Sequence, residues 1–240
     1  MLTGIDDGDG ERILTVRIDE ATIDAELVGD LQSVLNDAER REIENVVLRF
    51  GGEPDSITGE FPSWPPGPGR PDMRYFARWD ETLSRLSRLK AKTFAAYDGR
   101  VGAAAVNAGL VTDLRLASAQ TRLSVGSLAD GRFPGMGAHW LPKFVGLGTA
   151  RRMYLLGADL PADQASRLGL VDIVDDSIDA VVSATIKALR PVTAEAACFT
   201  RRILDDCYSM ESAAATELTK AARYKVGSIG ALRSGPWPRT

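Results

Sequence analysis

Apolar and polar positions alternate over residues 13–18, with Val16 and Ile18 on one side, and this period of two predicts a strand. Leu27, Val28, Leu31, Val34, Leu35 and Ala38 then recur at helical spacing and predict a helix over residues 25–38. Val46-Val47-Leu48 is a short apolar run ending at Phe50-Gly51-Gly52, the pattern of a buried strand. Strand, helix, strand in that order favours a parallel pair joined by a right-handed crossover. Residues 53–72 break the pattern with six prolines, a composition that disfavours helix and central strand alike. This segment is expected to be either a mobile lid or a merely tolerated loop. Phe76, Trp79, Leu83, Leu86 and Leu89 mark the next amphipathic helix, and residues 93–97 the next strand. Residues 102–110 are small and apolar, as in a helix packed closely against a neighbouring backbone. Short strands are predicted over 114–117 and 123–125. From Thr149 onward the pattern turns helical, with 178–189 and 193–226 as the main segments. The tail after Gly227 is expected to fray or to dock on a partner subunit.

With 240 residues the chain suits one large α/β domain, or one with a small helical extension. A net charge of -4 gives no electrostatic footprint for nucleic acid. No apolar run reaches the roughly 18 residues of a membrane span, and the acidic start, Met1 to Asp7, lacks the regions of a signal peptide. A cytoplasmic protein is therefore expected, with Cys198 and Cys207 reduced. A single His and no Cys/His cluster at ligand spacing predict no metal site.

The chemistry concentrates between Tyr97 and Val174. Tyr97-Asp98-Gly99-Arg100-Val101-Gly102-Ala103-Ala104-Ala105-Val106-Asn107 leads into Thr112-Asp113-Leu114-Arg115-Leu116-Ala117. Phe133-Pro134-Gly135-Met136-Gly137, Leu156-Gly157-Ala158-Asp159-Leu160 and Ala165-Ser166-Arg167-Leu168-Gly169-Leu170-Val171 follow. This succession resembles the crotonase (enoyl-CoA hydratase/isomerase) superfamily over about residues 12–205. The resemblance implies an α/β crotonase-like spiral of ββα units: a core over 1–175 that includes the 53–72 lid, and a C-terminal helical region over 176–240 used for trimerisation.

Members of that superfamily hold a thioester enolate with two backbone N–H groups. By resemblance, one comes from the loop at Gly51 and Gly52. The other comes from a glycine triplet replaced here by Ala103-Ala104-Ala105, with Ala104 as donor and Ala103 beside it. Alanine still donates its amide, provided no position needs positive φ. A plain turn at the glycines and close helix packing at the alanines are the alternatives.

The acids depart from the family pattern. The two positions that carry hydratase glutamates correspond to Asn107 and Ser127, neither of which acts as a general base unaided. Two-glutamate hydration is therefore not expected, although both residues can orient a hydroxyl or a water. Asp130 lies in the loop before Phe133 and Gly135, which border the acyl group by resemblance; burial against Phe133 would suit it to proton transfer. A simple Asp-Gly turn is the competing reading. His139 is the single imidazole and a candidate for proton transfer, but a lone His is more often structural. Asp98 and Arg100 suit a turn brace and a solvated charge.

For coenzyme A the cations near the first helix are sparse, Arg17 and Arg49, so an acyl-CoA and a carrier-protein thioester remain equally open. No cofactor is implied beyond coenzyme A as part of the substrate. The chain resembles most the short divergent members of actinobacterial secondary metabolism, in particular dehydratases of the dihydroxyphenylacetyl-CoA route to glycopeptide antibiotics. That implies dehydration and aromatisation of a polyketide-derived CoA thioester. Enoyl-CoA isomerisation is an alternative, and so is a non-catalytic auxiliary subunit that binds a thioester or a pathway enzyme. A homotrimer or hexamer is the family habit. No nucleic acid or membrane partner is expected.

Overall fold

The computed structural model describes residues 1–6, 12–51, 56–62, 73–126, 135–157, 159–211, 214 and 218. Its centre is a six-stranded sheet. β1 (Leu2–Asp6) pairs antiparallel with β2 (Ile13–Ile18). β3 (Asn45–Gly51), β5 (Lys92–Asp98), β7 (Leu114–Ser118) and β10 (Ile173–Asp175) follow in parallel. β3 and β5 are buried almost throughout, as parallel strands covered on both faces must be. Alternate residues sort to opposite faces. Val47, Phe94, Ala96 and Leu116 pack on α7 (Ile178–Ala188), whereas Val46, Leu48, Ala95, Tyr97 and Ala117 join the main core.

α1 (Ala25–Arg40) covers that second face. Asp24 caps it, accepting from Glu26 N at 3.0 Å and Leu27 N at 2.9 Å. Its buried stripe is Leu27, Val28, Leu31, Leu35 and Ala38, the face that the periodicity predicts. α2 (Met73–Arg88) buries Trp79, Leu83 and Leu86 beside it.

After β3, β5 and β7 the chain adds a short strand to a second sheet: β4 (Ile57–Thr58), β6 (Arg100–Val101) and β8 (Arg122–Leu123) run parallel. β9 (Leu160–Pro161) closes that sheet antiparallel. α3 (Ala103–Gly109) leaves directly from β6. α4 (Gly137–Val145), α5 (Leu147–Leu156), α6 (Ala162–Arg167) and α8 (Ala194–Tyr208) are the remaining helices with defined bounds among the described residues. This long-strand, short-strand, helix succession is the expected α/β spiral.

Three expectations change. The 53–72 segment is not wholly loop: Ile57–Thr58 form β4 and pair with β6, Gly59 N–H reaches Glu20 O at 2.9 Å, and Glu60 bridges Thr22. Distant backbone satisfies this segment, which its own composition cannot reveal. Helix begins before Thr149, at Gly137. The helix predicted over 193–226 breaks after Tyr208, where Ser209 N–H turns back onto Asp206 O, and among the described residues beyond the break 214 and 218 are again helical.

Candidate active site

The turn from β6 into α3 lies against the β4 segment so closely that two glycines are obligatory. A Cβ on Gly102 would sit 2.8 Å from the Glu60 backbone, and one on Gly59 would sit 2.5 Å from the Ala105 methyl. Gly59 also has φ +73°, which favours glycine. Hydrogen bonds lock the contact: Gly102 N to Thr58 O at 2.8 Å and Ala105 N to Gly59 O at 2.9 Å.

Glu60 is carried into the middle of this junction with 3% of its surface exposed. One of its carboxylate oxygens, Oε1, accepts from Phe61 N at 3.0 Å and from Ala103 N at 3.3 Å. Two backbone amides from separate elements thus converge on a single oxygen. The N–H of Ala104 has no acceptor among the described residues. Such an arrangement can stabilise negative charge on any oxygen that takes the place of Oε1.

The structure locates the expected site residues as follows. Ala103 and Ala104 open α3, buried, with the amide of Ala103 at the convergence. Gly51 ends β3 and pairs with Asp98, whose carbonyl would lie 3.0 Å from a Cβ there. Asn107 is buried one turn along α3, and a Cβ on Gly137 of α4 would meet its Oδ1 at 2.3 Å. Gly135, with φ +51°, begins the turn into α4. Asn107 and Gly137 therefore meet at the α3–α4 contact. Gly52, Ser127, Asp130 and Phe133 lie outside the described residues.

Other candidates have structural occupations. His139 is exposed and sits edge-on to Trp140, centroids 4.9 Å apart. Gln120 Nε2 donates to Asp98 at 3.0 Å, and Arg100 Nε donates to Asp159 at 2.9 Å. Arg17 pairs with Asp19 and Arg49 with Asp179, whose carboxyl the Arg49 hydrogen bond holds below the usual carboxylate range. Cys198 and Cys207 are unbridged. Among the described residues no group of three His, Cys, Asp or Glu could hold a metal, and no helix is long and apolar enough to cross a membrane.

Glu60 and Phe61 escape a sequence reading because they sit in the proline-rich stretch. The Ala103 partner of Glu60 is 43 residues away in the chain. Two cavities, of about 680 and 620 Å³, lie instead at the far end of α3, against α4 and α8. Neither is lined by Glu60, Phe61 or Ala103.

Comparisons with known proteins bear on the fold and the family. A protein described as enoyl-CoA-hydratase from Amycolatopsis orientalis is 28% identical over 149 residues, 61% of this chain and 69% of that one. The crystal structure of enoyl-CoA hydratase from Bacillus anthracis superposes with a TM-score of 0.81 at 16% identity, covering 95% of this chain and 92% of that one. A putative enoyl-CoA hydratase from Thermobifida fusca YX in complex with acetoacetyl-CoA gives 0.76 at 20% identity, covering 95% of both chains. The structural likenesses establish the fold. The family model for enoyl-CoA hydratase/isomerase matches residues 10–228, so this chain belongs to the enoyl-CoA hydratase/isomerase family.

Proposed function

We propose that this chain is an acyl-thioester lyase or isomerase that works through an enolate held by backbone amides. Its proposed reaction is the dehydration and aromatisation of a polyketide-derived CoA thioester. The observation that carries this reading is the convergence of Phe61 and Ala103 N–H on one carboxylate oxygen. That oxygen stands in for the thioester oxygen, which gains negative charge when the enolate forms. The acetoacetyl-CoA complex of the Thermobifida relative supports the thioester class. Asn107 and Ser127, where the family pattern has glutamates, argue against paired-carboxylate hydration. Aromatisation supplies driving force of its own, so enolate stabilisation with modest proton transfer, to which Asp130 can contribute, is enough.

The test is a single-turnover assay followed by mass spectrometry, with crotonyl-CoA, a β,γ-enoyl-CoA and a hydroxylated cyclohexenone-acetyl-CoA. Loss of water from the last alone is expected. Rapid hydration of crotonyl-CoA would overturn the reading. A second reading, an auxiliary subunit that binds a thioester or a partner enzyme, is favoured by one fact: the carboxylate already fills the amide pair. Binding of all three thioesters without turnover would select it.

A further inference from the structure

We propose that the cleft of about 680 Å³ beside α8 binds a straight-chain carboxylate, with Lys143 of α4 holding the anionic end, at a site separate from the converging amides. One stripe of α8 and its cap forms the long wall: Thr193, Ala197, Thr200, Leu204 and Tyr208 recur every three or four residues and so share a face. At the helical rise per residue this stripe runs about 22 Å, which suits an elongated occupant. Leu110, Val111, Leu114 and Phe144 complete a lining that is largely apolar, and Leu189 and Val192 stand at the end beside the start of α8. The volume falls within the range of small-molecule sites.

Charge decides which end group fits. Arg115 pairs with Asp172 at 2.6 Å, and Arg201 pairs with Asp113, so both guanidiniums on the cleft are already neutralised. Lys143 is left over. Its Nζ lies 4.3 Å from the Trp140 ring centre and 5.2 Å from that of Tyr208, and no carboxylate among the described residues forms an ion pair with it. Ring faces stabilise the ammonium but leave its N–H donors for an anion. Asp205 also borders the cleft, but burial raises its carboxyl above the ordinary range, which weakens it as a counter-ion. A fatty acid meets both features at once: its chain lies along the apolar stripe and its carboxylate reaches Lys143 at the Tyr208 end. A cationic amphiphile would set like charges together, and a neutral one would leave the ammonium unpaired.

The probe is dodecanoate, kept below its micelle concentration and titrated calorimetrically into the full chain, with dodecyltrimethylammonium as the cationic control. Wild type should bind one dodecanoate per chain and should not bind the control. Lys143→Met keeps the apolar stem of the side chain and should weaken dodecanoate about 10-fold or more, whereas Lys143→Arg should retain it. Ala197→Phe fills the cleft without touching the charge and should abolish binding; thermal melts check that each variant is folded, and Ala197→Leu replaces the phenylalanine variant if that one is not. Crotonyl-CoA in excess should leave dodecanoate binding unchanged. No binding by wild type overturns the proposal, as does equal binding of the control or full affinity in Lys143→Met. Binding at several sites per chain that survives the Ala197 variants is adsorption and overturns it too. Displacement by crotonyl-CoA would assign the fatty acid to the thioester site, which overturns this proposal and leaves the thioester reading standing.

Discussion

A methyl group added at Gly109 would lie 1.7 Å from the Tyr97 hydroxyl oxygen. Glycine inside a helix ordinarily costs stability, but here it makes room for a tyrosine that is buried, stacks on Phe50 with centroids 5.9 Å apart, and donates to Ala105 O at 3.4 Å. Gly109→Ala should therefore destabilise by about 2 kcal/mol despite the better helix propensity. Removing the hydroxyl with Tyr97→Phe should restore part of that loss. A double-mutant cycle from urea unfolding checks it, and additive losses would count against the steric account. Asp80 on α2 offers a second test at this scale. Burial raises its pKa above the ordinary carboxylate range, and its Oδ1 has no hydrogen-bond partner among the described residues. A carboxyl raised on folding takes away stability as pH climbs through its folded pKa, and takes away none below its unfolded one. Asp80→Asn should thus stabilise by up to about 1 kcal/mol at pH 7, with the gain shrinking toward pH 4. Thermal melts across that range measure it, and a gain that grows on acidification would contradict the assignment.

α8 shows how an element is fixed by one residue. The Arg201 guanidinium is buried and reaches Ser87 O at 2.7 Å, Leu89 O at 2.7 Å, Thr93 Oγ1 at 3.0 Å and the Asp113 carboxylate. These partners lie at the end of α2, on β5 and before β7, so one side chain ties the helix to three parts of the core. Arg201→Ala should cost about 3–5 kcal/mol by leaving Asp113 uncompensated. Arg201→Lys should recover only part, because an ammonium cannot span a planar fork of acceptors. Full stability of the lysine variant in urea would refute this. Element legibility follows the same division between local and distant. α1, α2 and α7 each carry a continuous apolar stripe, and β2, β3, β5 and β7 carry an alternating or largely apolar run, so periodicity predicts them, whereas β1 in the acidic start is not predicted. β4, β6, β8 and β9 are two residues long and exist only through pairing with distant chain. α4 contains Pro142, which in a sequence suggests a break.

At the scale of the whole molecule, Leu155 and Leu156 at the end of α5 are 65% and 71% exposed, and Leu204 and Tyr208 project from α8. Adjacent exposed leucines suit contact with a second copy, and we propose on that ground the homotrimer or hexamer that the family resemblance implies. Sedimentation velocity should then show a species well above the 25.8 kDa chain, and Leu155→Glu with Leu156→Glu should shift it to monomer. A monomeric wild type would remove the proposal.

The sequence by itself determined strands β2, β3, β5 and β7, helices α1, α2 and α7, their order and the family, because each depends on residues close together in the chain. By resemblance it also implies that Asn107 stands where a hydratase carries a carboxylate. Only the tertiary structure decided that Phe61 and Ala103 supply the converging amides and that Glu60 stands between them. The physical reason is that a backbone amide is the same group in every residue. Its direction is set by β4 and α3 meeting at Gly59 and Gly102, and no local pattern of side chains encodes that approach.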